Sequence, residues 1–187
     1  MQILRSADYR RMPWKNGGGE TVEIAVSPAA ADFASMDWRL SMATVASNGP
    51  FSSFPGIDRT LSVLSGTIRL TIDGKVVDLM EMSPPHRFPG DATTQGAVLR
   101  GPVTDLNVMT RRSGFSHDVR RASFMGEKSL LVEAGTVVLF CHTGAVRLQN
   151  GETLKALDAA VGTSPGETMA FSADTLSTLY VISIKPR

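Results

Sequence analysis

The run Pro13-Trp14-Lys15-Asn16-Gly17-Gly18-Gly19 is the least generic stretch of the sequence and the first place where chemistry could reside. Three consecutive glycines let successive backbone N–H groups converge, the arrangement that cradles anions. Lys15 adds a point charge, and Asn16 a group that both donates and accepts hydrogen bonds. The lysine precedes the glycines, and Thr21 to Val26 reads as a strand, so the Gly-Lys-Ser/Thr pattern that opens a nucleotide-binding helix is not met. The same glycines would serve equally in a loop that only needs positive φ.

Two further groups of residues have chemical potential. Gly49 to Gly56 carries two prolines and two glycines, which impose a rigid non-helical course up to Asp58-Arg59. Arg59 then enters a strand, where it can offer a fork of donors to a carboxylate; the plainer reading is that Asp58 pairs with it. Asp105, Asn107 and Met109 alternate along a strand and so share one face. Burying that aspartate and asparagine costs several kcal/mol (~2–7) unless each finds a partner, so a ligand or an internal network must supply one. Arg111 or Arg112 is a natural counter-charge, though a solvated arginine pair is the commoner reading.

Other chemistries lack their residues. His86, His117 and His142 form no His-x-His pair and have no carboxylate at a local metal-site spacing, so no metal or other cofactor is expected. Cys141 lies in the apolar run Val137-Val138-Leu139-Phe140, where a thiol behaves as a small hydrophobe. His142 beside it points to the other face of a strand, and no Gly-x-Ser-x-Gly elbow occurs. No catalytic acid, base and nucleophile set emerges.

Composition narrows the classes further. The 187 residues are 42% hydrophobic and 20% charged, an ordinary globular mix for one large domain or two small ones. Net charge is +1, and no basic run exceeds an arginine pair, which excludes the basic footprint of a nucleic-acid binder. No run approaches the ~18 apolar residues of a membrane span, and no signal-peptide pattern opens the chain. With one cysteine, the expectation is a soluble cytoplasmic protein with neither nucleic acid nor membrane as a partner.

The elements that must position these residues are strands. Short β-compatible runs surround Ser65-Gly66, Asp73-Gly74, Ala134-Gly135, Thr143-Gly144 and Asn150-Gly151, and no segment holds a capped helical period. A pattern also recurs. Ser65-Gly66-Thr67-Ile68-Arg69-Leu70, Asp73-Gly74 and Pro89-Gly90-Asp91 are echoed by Thr143-Gly144-Ala145-Val146-Arg147-Leu148, Asn150-Gly151 and Pro165-Gly166-Glu167, about 77 residues on. This predicts an all-β protein built of two β-barrel halves, residues 1–115 and 116–187. The polar candidates fall in the first half.

These residues carry a resemblance to the bacterial HutD/Ves family. The matching stretches are Met12 to Gly19 with Thr21, Trp38-Arg39-Leu40-Ser41, Gly49-Pro50-Phe51-Ser52 with Phe54-Pro55-Gly56, and Asp58-Arg59. Phe88-Pro89-Gly90-Asp91 and Asp105 to Met109 with Arg111-Arg112 follow in the family's order. The resemblance covers nearly all of residues 1–112 and thereafter rests on general β character. It implies a cupin-type β-barrel with two cupin halves in one chain, a bicupin. It also implies no established enzymatic activity, no metal, and an association with histidine utilisation; other members are linked to environmental stress. Such proteins look like binders of a small carboxylate, urocanate or a formylated amino acid, with a regulatory role. Trp14, Lys15, Asn16, Thr21, Arg59, Asp105 and Asn107 stand at family-motif positions and are placed around a first-half pocket. Two readings compete with a metal-independent binder. One is an enzyme acting on a small organic acid with Asp58, Asp105 or Lys15 as acid or base. The other is an interaction module whose second half pairs with itself, as a homodimer, or with a regulator.

Overall fold

Alternating side chains and frequent turn residues leave almost the whole chain extended. The computed structural model describes residues 1–14, 17–132, 135–163, 166 and 168–187. From the N-terminus its strands are β1 (Gln2–Leu4), β2 (Arg10–Pro13), β3 (Gly19–Ser27), β4 (Trp38–Val45) and β5 (Gly49–Pro50). The next five are β6 (Ile57–Ile72), β7 (Lys75–Met80), β8 (His86–Pro89), β9 (Thr94–Arg111) and β10 (Phe115–Leu131). The last are β11 (Thr136–Thr143), β12 (Ala145–Leu148), β13 (Thr153–Lys155), β14 (Ala159–Gly162) and β15 (Thr168–Pro186). Among the described residues a 3-10 turn at Ser6–Asp8 is the sole helical element, and no helix is long and apolar enough to cross a membrane.

The chain divides into two compact units. The larger comprises Arg10–Ser116 with Arg187, the smaller Met1–Tyr9 with His117–Pro186. Each chain end thus groups with residues remote from it in sequence. Met1–Tyr9 joins the later residues because β1 pairs antiparallel with β14, Leu4 opposite Ala159. Arg5 reinforces this through Asp158 at 3.0 Å and Glu152 at 2.7 Å. Arg187 joins the larger unit because its backbone N–H donates to the carbonyl of Gly114.

The larger unit is one antiparallel sheet in the order β2-β3-β4-β9-β6-β7, with β5 added to β9 and β8 to β6. Asp73-Gly74 forms the tight β6–β7 turn, both residues at positive φ (46° and 80°). Ser65-Gly66, expected to be another turn, instead lies inside the sixteen-residue β6. Register against β9 slips at Val63/Ser65, Ser65/Thr67 and Thr67/Ile68. Bulges bend and twist a strand without ending it, which is what the small-Gly pair achieves here. The core of this face is Val45, Leu61, Val63, Ile68, Leu70, Leu79, Phe88 and Val103.

The smaller unit is a sheet in the order β1-β14-β11-β15-β12-β13, with β10 on β15. Thr143-Gly144 and Asn150-Gly151 do connect successive strands there. Ala134, Pro165 and Glu167 lie outside the described residues. Val137, Leu139 and Cys141 enter a core with Leu179 and Val181, while Val138 and Phe140 on the opposite face are equally buried. Burial on both faces explains why β11 reads as a continuous apolar run. Burial also pushes the Cys141 thiol up to about 11, so it stays protonated.

Candidate functional site

The site grows from cross-strand register. Residues directly opposite in antiparallel strands share a face. Arg39 of β4 and Arg59 of β6 both oppose Met109 of β9, and Phe88 of β8 opposes Arg59. One row along, Ser41 and Leu61 flank Asn107, with Glu23 and His86 extending that row. The next row sets Thr21, Ala43, Asp105 and Val63 side by side. Asp105, Asn107 and Met109 thus share a face with Arg59 and Thr21.

Arg59 is buried, 6% exposed, among three rings: its Cζ lies 5.0 Å from the centroid of Phe51, 5.3 Å from Phe88 and 5.9 Å from Phe54. Cation–π attraction offsets part of the lost hydration. Gly96 makes room for one ring, since a Cβ there would meet Phe51 Cε1 at 2.6 Å. The Arg59 Nε donates to Asn107 Oδ1 at 2.8 Å, and Asn107 Nδ2 donates to Asp105 Oδ1. Among the described residues the two Nη groups of Arg59 have no hydrogen-bond partner. Asp105 Oδ2 is buried and likewise unpartnered.

Titration behaviour follows this geometry. Loss of hydration pushes Asp105 up to about 7, although the Arg59 charge and the Asn107 hydrogen bond both pull it down. Desolvation also lowers Arg59, to about 10, against the pull of Asp105. Arg39 is differently provided for: its Nε donates to Glu23 Oε2 at 2.7 Å, and its Cζ sits 4.9 Å from the Phe33 centroid. Phe33 stacks on Phe54 at 4.6 Å, so one aromatic pair touches both arginines.

The remaining sequence candidates divide. Trp14 donates its Nε1–H to Thr21 Oγ1 at 2.8 Å and packs against the Leu61 and Val63 core. Lys15 and Asn16 lie outside the described residues. The Gly17 N–H is used on the Trp14 carbonyl, and the Trp14 N–H on Gly19, closing the β2–β3 hairpin. Neither Arg111 nor Arg112 is the counter-charge of Asp105. Arg111 binds the carbonyls of Met36 and Ala34, and Arg112 binds Asp58 and Asp91. Asp58, in turn, pairs with Arg87, Arg112 and Arg187 instead of its neighbour Arg59, because adjacent strand residues face opposite ways. Sequence reasoning passed over Arg39, Glu23 and the rings of Phe33, Phe51, Phe54 and Phe88. The alternation of Arg39 between Trp38 and Leu40 was the available signal. A separate open cavity of about 510 Å³ belongs to the smaller unit, beside Glu127, Lys128, Arg147 and Phe171.

The HutD family model matches residues 6–181. The chain belongs to the HutD family. Among curated relatives, this HutD-family chain is 34% identical over 149 residues to an uncharacterized 21.2 kDa protein in the hutC 3′ region of Pseudomonas putida, covering 79% of this chain and 77% of that one. It is 36% identical over 169 residues to Protein Ves of Escherichia fergusonii, covering 81% and 87%. HutD from Pseudomonas fluorescens SBW25, solved in a formate condition, is 30% identical with a TM-score of 0.83, covering 100% of this chain and 98% of that one. More distant structures show the fold alone, which is a cupin-type β-barrel. Oxalate decarboxylase of Bacillus subtilis matches with a TM-score of 0.69 at 10% identity, over 100% of this chain and 78% of that one.

The Bacillus oxalate decarboxylase has Mn(II) centres. Here the described residues contain no group of three His, Cys, Asp or Glu able to hold a metal ion. On this face His86 is the one imidazole among the described residues, Arg59 adds a cation, and the carboxylates of Glu23 and Asp105 are engaged by Arg39 and Asn107. These described residues do not fit a divalent metal.

Proposed function

We propose that this chain binds a small organic carboxylate on the inner face of the larger unit and serves a regulatory role in histidine utilisation. One observation carries the binding reading: the Arg59 guanidinium is fixed through Nε by Asn107 and held among three rings, with its paired Nη donors unspent among the described residues. A carboxylate would take a charge-assisted fork from those donors, each bond contributing roughly 1.5–3 kcal/mol. Trp14, Phe51 and Phe88 line the core beside it and suit a planar unsaturated acid. The hutC-region relative and the HutD structure support the pathway assignment. The test is calorimetric titration with urocanate, formate and N-formylglutamate. Binding of one acid that disappears in Arg59→Ala, with cooperative unfolding retained, is the expected result. Equal affinity in that variant removes Arg59 from the site.

Asp105 favours a second reading, because a buried carboxyl titrating at about 7 is suited to proton transfer at neutral pH. An enzyme of acid/base type would lose turnover of these acids in Asp105→Asn while still binding them. A wild-type protein that binds but turns over none of them is a binder.

A further inference from the structure

The larger unit's inner face carries an unequal charge account. Arg39 and Glu23 form a close ion pair, 8% and 17% exposed, and cancel one another. Among the described residues Arg59 has no such partner at hydrogen-bonding distance. The nearest buried carboxylate on its face is Asp105, and the two meet only through Asn107, which accepts from one and donates to the other. The asparagine cannot carry charge between them. It holds the guanidinium and the carboxyl apart while leaving them within each other's field.

We propose that Asp105 is the resident counter-ion of Arg59, displaced by the ligand: a singly charged carboxylate settles on the Arg59 Nη groups, and Asp105 takes a proton from solvent onto Oδ2. The inference rests on the carboxylate-binding reading above and adds what happens to charge when that site fills. Before binding, the Arg59 charge supports ionised Asp105. After binding, the ligand carboxylate neutralises Arg59, and an ionised Asp105 would be a second buried anion facing one cation. Protonation removes that conflict. Oδ2 is the oxygen that receives the proton, because Oδ1 already accepts from Asn107. The O–H bond formed there is the sole covalent change, and the overall event is uptake of one carboxylate and one proton. The ligand class follows. With Arg39 matched by Glu23, Arg59 is the arginine on this face, among the described residues, that has no direct carboxylate partner, which suits a monocarboxylate.

Other charged groups on this face define the controls. Arg39 comes from β4, Glu23 from β3, Arg59 from β6 and His86 from β8; the residues directly flanking Asp105 are Ala43 and Val63. His86 is the one imidazole among the described residues of this face, and His86→Gln removes it.

Formate is the probe, since it has no second titrating group near neutrality. Titration calorimetry at pH 7 in buffers of different ionisation heat should read about half a proton taken up per formate bound, and more than this near pH 8. The formate Kd should be level below about pH 6.5 and should rise toward tenfold per pH unit above pH 7. Asp105→Asn should abolish the uptake, flatten the profile and bind formate more tightly than wild type at pH 8.5. His86→Gln should keep both the uptake and the slope. Wild-type binding with no proton uptake overturns the inference and leaves the binder reading standing, and that outcome requires no variant to fold. Uptake that survives in Asp105→Asn, or is lost in His86→Gln, assigns the proton elsewhere. Absence of formate and urocanate binding by wild type at every pH overturns both proposals.

Discussion

Arg39 and Arg59 lie on either side of Met109 in one cross-strand row, two buried guanidiniums facing the same way from strands separated by a third. Each is fixed through Nε, one by a carboxylate and the other by a neutral amide. That difference divides their roles: the first is a closed ion pair, the second an open one.

A closed pair is costly to break from one side. Glu23→Ala leaves the Arg39 charge buried against Phe33 without its acceptor. We expect a loss of about 3–5 kcal/mol in urea unfolding, the range for orphaning one member of a buried pair. Replacing both members, as Glu23→Leu with Arg39→Met, should restore most of that stability. A double variant as unstable as the single one would count against the ion-pair account.

Asp105 makes neutral pH the less stable side for its own titration. Its folded value, about 7, lies above its ordinary value of 3.8. The unfolded chain therefore releases this proton first, and the associated stability, full below about pH 4, is lost as pH rises to about 7. Asp105→Asn does not titrate. Its unfolding free energy relative to wild type should grow by about 2–4 kcal/mol between pH 4 and pH 7.5, then stay level. Asp58 and Asp91 act in the opposite direction. Burial works against the Asp58 charge, but Arg112 and Arg87 outweigh it; the Arg112 hydrogen bond holds Asp91 at about 2. Their stabilisation is lost at low pH in both proteins and cancels in the comparison.

Gly96 tests the aromatic packing. Gly96→Val would drive side-chain atoms into Phe51, whose ring lies over Arg59. Overpacking should cost about 1–3 kcal/mol and weaken formate binding together with it. A variant destabilised by that amount with unchanged formate affinity would show that Phe51 does not order the guanidinium.

Asp58→Ala supplies the contrast. It removes the carboxylate shared by Arg87, Arg112 and Arg187, while Arg112 keeps Asp91 and the Ile57 carbonyl. Because Asp58 lies on the opposite face of β6 from Arg59, stability should fall by about 1–3 kcal/mol with formate affinity unchanged. Fluorescence-monitored unfolding and calorimetry on the same sample check both halves of that statement.

Period-two alternation made much of the candidate site legible. It put Asp105 and Asn107 on one face and brought Arg59 into a strand, and turn chemistry located the Asp73-Gly74 hairpin. What stayed hidden depended on distant pairing. The Arg39–Glu23 bond crosses from β4 to β3 beside the slip at Glu23/Ala25, which no local pattern announces. Phe33, Phe51 and Phe54 come from loops whose paths are set by contacts such as that of Phe51 with Gly96. Ser65-Gly66 misled because the same residues that turn a chain also bulge a strand. The candidate pairing of Asp105 with Arg111 or Arg112 failed because both arginines are claimed by partners far along the chain.

The exchange of chain ends has a consequence for synthesis. Met1–Tyr9 is made well before β14, the strand it pairs with, which follows more than a hundred residues later. Arg10–Ser116 can meanwhile assemble its own sheet from neighbouring segments. The residues of β1 thus wait longest for their hydrogen bonds. Until then the growing chain carries β1 as a short unpaired strand, and Arg10 and Arg11 just beyond it discourage association between growing chains.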